Sequence, residues 1–309
     1  MDLSLILGAG QLAATLRLAT PLTLAALGGT ISERSGVTNI ALEGIMLMGA
    51  FFGTWGAAVT GNVWLGVLIG IASGVFLAAI HAVAAIWLRS DQIVSGMALN
   101  IFALGLTSYL NFQLYGLTGT PPDLPALPDV HLAFLTGVPY LGDVIADQNI
   151  VVWLAGLLVI AVHVFLFRTV LGLRLRAVGE HPRAADTLGI NVFAIRYGAV
   201  LLSGALAAIA GAYLSLSVSH SFTNNITSGR GFIGLAAMIA GRWTAAGALL
   251  ASLLFGYGDA LTFSLQGTGV PVQLLATIPY VVTILVVAGL VGRSRPPAAD
   301  GVPYEKEGH

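Results

Sequence analysis

The sequence predicts an all-α, polytopic integral membrane protein with about 8–10 transmembrane helices, and three observations carry that prediction. Charged residues make up only 9% of the chain, against roughly 25% in soluble domains, and mean hydropathy is +0.90. Nine apolar stretches, at 11–31, 36–58, 62–88, 92–112, 150–167, 192–217, 231–241, 245–265 and 273–292, follow one another along the sequence. Most approach the ~20 residues that cross a ~30 Å hydrocarbon core. Thirty-nine glycines in 309 residues suit helices that approach closely through small side chains in lipid. Residues 1–309 therefore read as one transmembrane domain.

The first stretch contains Arg17 and, one turn later, Pro21. Pro21 is expected to interrupt the span and free a backbone carbonyl that a neighbour must satisfy. Arg17 reads as a snorkelling or paired side chain near one face. No basic region precedes this stretch, so it reads as a retained span and not a cleaved signal. Ser32-Glu33-Arg34-Ser35-Gly36 breaks the helix, with Glu33 and Arg34 expected to pair locally or at the interface. Asn39 and Glu43 then fall four residues apart, on one face of the next predicted helix. An ionisable group at that depth is costly, so Glu43 either lines a pathway or ties two helices together.

Asn100 sits mid-span in the fourth stretch. The extracytoplasmic loop, 116–149, holds Pro121, Pro122, Pro125, Pro128 and Pro139 with Asp123, Asp129, Asp143 and Asp147, and no Lys or Arg. Short basic loops stay inside, so this acidic segment faces out, as a platform for a binding protein or a lid. Segment 168–191 is its opposite. Arg168, Arg174, Arg176 and Arg183 crowd into sixteen residues of a chain with thirteen Lys plus Arg. Pro182 in a first helical turn and Gly189 as terminator mark a short cytoplasmic helix there.

Beyond the sixth stretch, a polar run with His220, Phe222, Asn224 and Asn225 leads to 231–241, which is too short to span and reads as a half-helix. Asp259 marks the following span. Arg293 and Arg295 place the tail, 293–309, inside. Counting gives nine crossings with the N-terminus outside. Ile40-Ala-Leu-Glu-Gly-Ile-Met46 echoes Ile233-Gly-Leu-Ala-Ala-Met-Ile239, and the two halves run in opposite directions. Inverted repeats with interrupted helices place a transport pathway at the breaks, near the midplane.

The chemistry is sparse. The sequence lacks a G-x-x-x-x-G-K-[ST] loop to cradle nucleotide phosphates, and its six histidines lack metal-ligand spacing. No enzyme site or cofactor is expected. With no cysteine, no disulfide forms, and a net charge of -1 gives no reason to expect nucleic acid. Glu43 and Asp259 are the acids able to serve a proton relay, which keeps a self-sufficient secondary transporter as the alternative mechanism. A membrane scaffold fits the polar breaks within spans poorly.

Gly172-Leu-Arg-Leu-Arg-Ala-Val-Gly-Glu-His-Pro-Arg-Ala-Ala-Asp-Thr-Leu-Gly-Ile190 resembles the coupling segment of permease subunits of bacterial ABC importers. That group serves branched-chain amino acids, ribose-type sugars and nucleosides. Residues 31–50, 91–107 and 292–307 agree, and they most resemble the nucleoside (simple sugar-like) branch. The resemblance implies a bacterial inner-membrane permease that imports nucleosides, purine type favoured, or else ribose-like sugars or other small polar solutes. It also implies an ATPase partner that binds ATP, a second and different permease chain, and an extracytoplasmic solute-binding protein. Glu180, Pro182, Arg183 and Asp186 are the coupling residues it carries over. Asn39, Glu43, Asn100, Phe222, Asn224 and Asp259 are the candidate pathway residues.

Overall fold

The computed structural model describes residues 8–116, 124–266, 270–275, 277–289 and 294–306. Pro121, Pro122, Asp123 and Arg293, singled out above, lie outside the described residues. Helix α1 (Ala9–Arg34) runs into a non-helical break, and α2 (Leu42–Thr60) resumes after it. Asn62 caps α3 (Val63–Ala82), which ends in a π turn over Val83–Trp87. Asp91 caps α4 (Gln92–Tyr115). Next, β1 (Asp129–His131) pairs antiparallel with β2 (Asp147–Asn149) around α5 (Leu141–Ile145), a small ribbon that the all-helical expectation lacked. Then come α6 (Ile150–Arg168), α7 (Val170–Glu180), α8 (Pro182–Thr187) and α9 (Val192–Tyr213), the last extended by a π turn to Val218. The chain continues through α10 (Arg230–Ala240), α11 (Ala245–Ser264), α12 (Val272–Leu275) and α13 (Ile278–Gly289).

Among the described residues, seven helices are long and apolar enough to cross a membrane: α1, α2, α3 with its π turn, α4, α6, α9 with its π turn, and α11. The first, second and sixth of these form the buried centre, while α3, α4 and α6 turn most of their surface outward. Lipid provides no hydrophobic drive between helices, so close packing must hold the centre. Backbones approach accordingly. A β-carbon on Gly211 would stand 1.8 Å from the Met46 carbonyl, and one on Gly49 would stand 2.4 Å from that of Ala208.

Two sequence expectations are corrected here. Pro21 does not interrupt the first span: α1 passes through it unbroken. The carbonyl that proline frees is that of Arg17, and the Tyr213 hydroxyl donates to it at 3.2 Å. Glu33 and Arg34 do not pair locally either. Glu33 accepts from the Trp243 indole at 2.5 Å, and Arg34 donates to the carbonyls of Trp243 and Arg242 at 2.9 and 3.3 Å. Both side chains serve the turn between α10 and α11, where Arg242 and Trp243 hold consecutive positive φ angles. That strained turn needs outside support.

Candidate functional site

The break between α1 and α2 is built from the side chains around it. Gly36, at φ +88°, lets the chain reverse after α1, a conformation that side chains disfavour. Thr38 then spends every polar group on a different element. Its amide donates to Gln92 on α4 (2.7 Å), its carbonyl meets His81 on α3 (3.0 Å), and its hydroxyl donates to Asp300 in the tail (3.0 Å). Asn39 is fully buried and donates to Ser203 on α9 at 3.0 Å. It lies in the break, not on a helix, so the shared face predicted for Asn39 and Glu43 does not exist. Asn100 closes the break from α4, accepting from the Gly44 amide (2.7 Å) and donating to the Ile40 carbonyl (2.9 Å).

Glu43 opens α2 and also caps α10. Its two carboxylate oxygens accept from the Thr227 hydroxyl (2.6 Å), the Gly229 amide (2.7 Å) and the Gly231 amide (2.6 Å). The first amides of any helix lack internal partners, and a carboxylate there also meets the positive end of the helix dipole. Gly231 is required because a β-carbon would collide with Glu43 at 2.6 Å. Asn100 lies nine residues beyond the Asp91 cap, about 13 Å along α4 and so near the middle of a ~30 Å core. The starts of two helices thus meet at mid-depth. One ascends outward as α2 and the other descends inward as α10, the arrangement of an inverted repeat. The short sequence echo is not its register, since it matches Leu42 with Leu235 while the helix starts pair Leu42 with Arg230.

Two cavities adjoin each other, the deeper of them beside this junction. The outer, of about 550 Å³, is lined by Arg17, Asp129, Asp147, Asn149, Tyr213, Ser217, His220 and Phe263, with Ala14, Leu18 and Val218. Arg17 donates to Gln148 at 3.2 Å, and the ribbon pairs His131 with Asp147. The deeper cavity, of about 180 Å³, is lined by Ser228, Arg230, Ile233, Asp259, Thr262, Phe263 and Pro279. Arg230 and Asp259 face each other across 3.8 Å. Phe263 lines both spaces.

Of the six candidate pathway residues, Asp259 therefore lines a cavity. Asn224 is exposed at the outer end and accepts from Asn111 at 3.3 Å. Phe222 is buried against Phe51, ring centroids 5.2 Å apart, and Asn39, Glu43 and Asn100 fasten the break. Sequence reasoning passed over Thr38, Arg230 and Asp300. Arg230 was signalled by its place in Gly229-Arg230-Gly231, but the other two had no signal, since nothing in sequence joins positions 38 and 300. Among the described residues, no three His, Asp or Glu side chains gather as a metal-ligand set.

The face at the far end of the bundle from the ribbon carries the basic segment. Thr169 caps α7, accepting from the Gly172 amide at 3.0 Å; this helix was not foreseen. Pro182 opens α8 as expected, and Gly189 (φ +78°) closes the turn through its amide to Asp186 at 2.8 Å. Glu180 accepts from the Ala298 amide at 3.2 Å, and Asp186 lies 3.8 Å from Lys306. Arg183 is exposed. A hollow of about 630 Å³ separates His181–Ala184 from the tail residues Ala298, Ala299 and Val302–Glu305.

A family model described as branched-chain amino acid transport system/permease component matches residues 11–287. The guanosine ABC transporter permease protein NupQ of Bacillus subtilis (strain 168) is 41% identical over 312 residues, spanning 95% of each chain. The nucleoside ABC transporter permease protein NupC of Lactococcus lactis subsp. cremoris (strain MG1363) is 41% identical over 93% of this chain and 94% of its own. TsgC13 of Haloferax volcanii, whose name assigns it provisionally to glucose ABC transport, is 39% identical over 93% of each chain. With its spans, paired helix breaks and near-full-length relatives, the chain belongs to the permease-component family of branched-chain amino acid transport systems.

Proposed function

We propose that this chain is the membrane-spanning subunit of an ATP-driven importer of nucleosides, purine type favoured. The observation that carries the reading is its 41% identity, over nearly full length, to permeases named for guanosine and nucleoside transport. ATP is bound and hydrolysed by a partner subunit that docks on Glu180, Pro182, Arg183 and Asp186. A second, different permease chain completes the membrane unit, and a solute-binding protein delivers from outside. The solute passes from the outer cavity, past Phe263, to Arg230 and Asp259. Carboxylates and amides there suit ribose hydroxyls and base edges, and the aromatic rings suit a flat base. Asn39, Glu43 and Asn100 act on this path through the helix ends they hold, and Asn224 lies at its mouth.

The test is uptake of labelled guanosine by proteoliposomes holding the reconstituted complex. Uptake that needs both ATP and the binding protein is expected. Uptake by this chain alone, driven by a proton gradient, overturns the reading in favour of a secondary transporter. The likeness to TsgC13 favours a second solute class, and ATP-dependent uptake of glucose but not guanosine would select it.

A further inference from the structure

The tail does more than end the chain on the cytoplasmic side. Residues 294–306 lie as a strap between the docking segment and the break. The Ala299 amide donates to the Gly179 carbonyl at 2.9 Å, and the Ala298 amide to Glu180 at 3.2 Å. On the other side of the same residues, a β-carbon on Gly36 would meet the Ala299 carbonyl at 3.0 Å. The Asp300 carboxylate accepts from the Thr38 hydroxyl. Arg196 on α9 donates to the Val302 carbonyl at 3.0 Å. Gly179 is itself wedged against α1, where a β-carbon would stand 2.1 Å from the Arg34 carbonyl. Within five residues, then, the strap bonds to the end of α7, the break and the inner end of α9.

The strap is also stiff. Pro296, Pro297 and Pro303 fix their own φ angles. Asp300 donates its amide to Pro297 and Val302 to Ala299, at 3.1 and 3.2 Å, which folds 297–302 into a compact turn. A short rigid element bonded at both ends passes displacement from one to the other; a loose tail does not. Beyond Thr38 the break leads directly to Ile40, Asn100 and the mid-membrane start of α2.

We propose that residues 298–302 are a coupling strut and that Asp300 is its positioning residue. Through Asp300, movement of the docking segment reaches Thr38 and hence the helix ends that border the solute path. The proposal rests on the ATP-coupled half of the proposed function and not on its solute.

The experiment compares Asp300→Ala and Asp300→Asn complexes, with their ATPase subunits, in proteoliposomes. Asp300→Ala is expected to co-purify with the ATPase and keep its basal hydrolysis, while solute moved per ATP falls about tenfold, a usual size for coupling between sites. Asp300→Asn retains an oxygen for the Thr38 hydroxyl and keeps most of the ratio. Parallel loss of hydrolysis and uptake, or loss of neither, overturns the strut. If Asp300→Ala does not reach the membrane, Thr38→Cys with Asp300→Cys replaces it, because the native chain has no cysteine. Oxidation should then raise the transport-to-hydrolysis ratio, and equal ratios in both redox states overturn the proposal. A wild-type complex that moves no nucleoside refutes the solute assignment alone. Stimulation of hydrolysis by the loaded binding protein then serves as the readout.

Discussion

Glu43 sits buried at mid-depth with three donors aimed at its carboxylate, and that arrangement supports the tie between two helices among its sequence readings. A proton carrier must let go of its partners in each cycle, whereas this carboxylate holds the first turn of α10. Each buried donor left unsatisfied costs about 1–3 kcal/mol. Glu43→Ala is therefore expected to lower the thermal midpoint of the detergent-purified protein markedly, and Glu43→Gln, with one acceptor oxygen left, by less. An unchanged midpoint in Glu43→Gln together with lost proton dependence of uptake would restore the relay reading. Asp300 gives a second residue-scale prediction. Burial pushes its carboxyl up to about 6, opposed by the Thr38 hydroxyl, the contact with Glu33, the Gly301 amide and the Arg196 guanidinium. The raised value means that the docked strap favours the protonated form. Docking is thus strongest below the ordinary carboxylate range, near 4, and weakens as pH rises through about 6. Hydrogen-exchange protection of amides 298–302, corrected for intrinsic rates, should fall between pH 5 and pH 7, and Asp300→Asn should flatten the change. Both residues show what sequence can carry at this scale. Glu43 was legible as a costly charge in an apolar segment, but its partners lie 184 to 188 residues away.

Elements were legible where lipid sets the length. The stretch 11–31 became Ala9–Arg34, and 192–217 became Val192–Val218, because a helix crossing hydrocarbon cannot be much shorter. The half-helix expected at 231–241 is Arg230–Ala240. Helix α7 is not legible in the sequence because eleven residues give too short a period to read. The break also proved longer than its sequence signal. Ser32–Gly36 marked where α1 stops, but α2 starts only at Leu42, and the residues between are held by side chains from three other helices. Close packing yields the prediction at this scale. α9 lies so near α2 that Gly211 has no room for a methyl group. Gly211→Ala must separate the two helices, at about 1–3 kcal/mol or more for overpacking. The amount of folded protein in the membrane should drop, while the more open Gly156→Ala, with nothing within 4 Å, leaves it unchanged. Equal levels for both variants would show that this contact can yield.

At the scale of the molecule, charge and fold agree on one orientation. Arg34, Arg89, Arg183, Arg242 and Lys306 all belong to the face where the docking segment, the strap and the 241–244 turn meet. Asp129 and Asp147 belong to the ribbon at the other end. Basic short loops are retained inside, so the ribbon and the outer cavity face out. Under the proposed import function the direction of transport depends on this assignment, because a binding protein would deliver from outside and an ATPase would work from within. The cysteine-free background allows a direct check with single-cysteine variants. Phe134, in the ribbon segment, is 75% exposed, and Leu188, beside α8, is 81% exposed, so this chain covers a thiol at neither position. A membrane-impermeant maleimide added to intact cells should label Phe134→Cys and spare Leu188→Cys until the membrane is permeabilised. The reverse pattern would turn the molecule over, place Arg183 outside, and leave no cytoplasmic surface on which an ATPase subunit finds the docking segment.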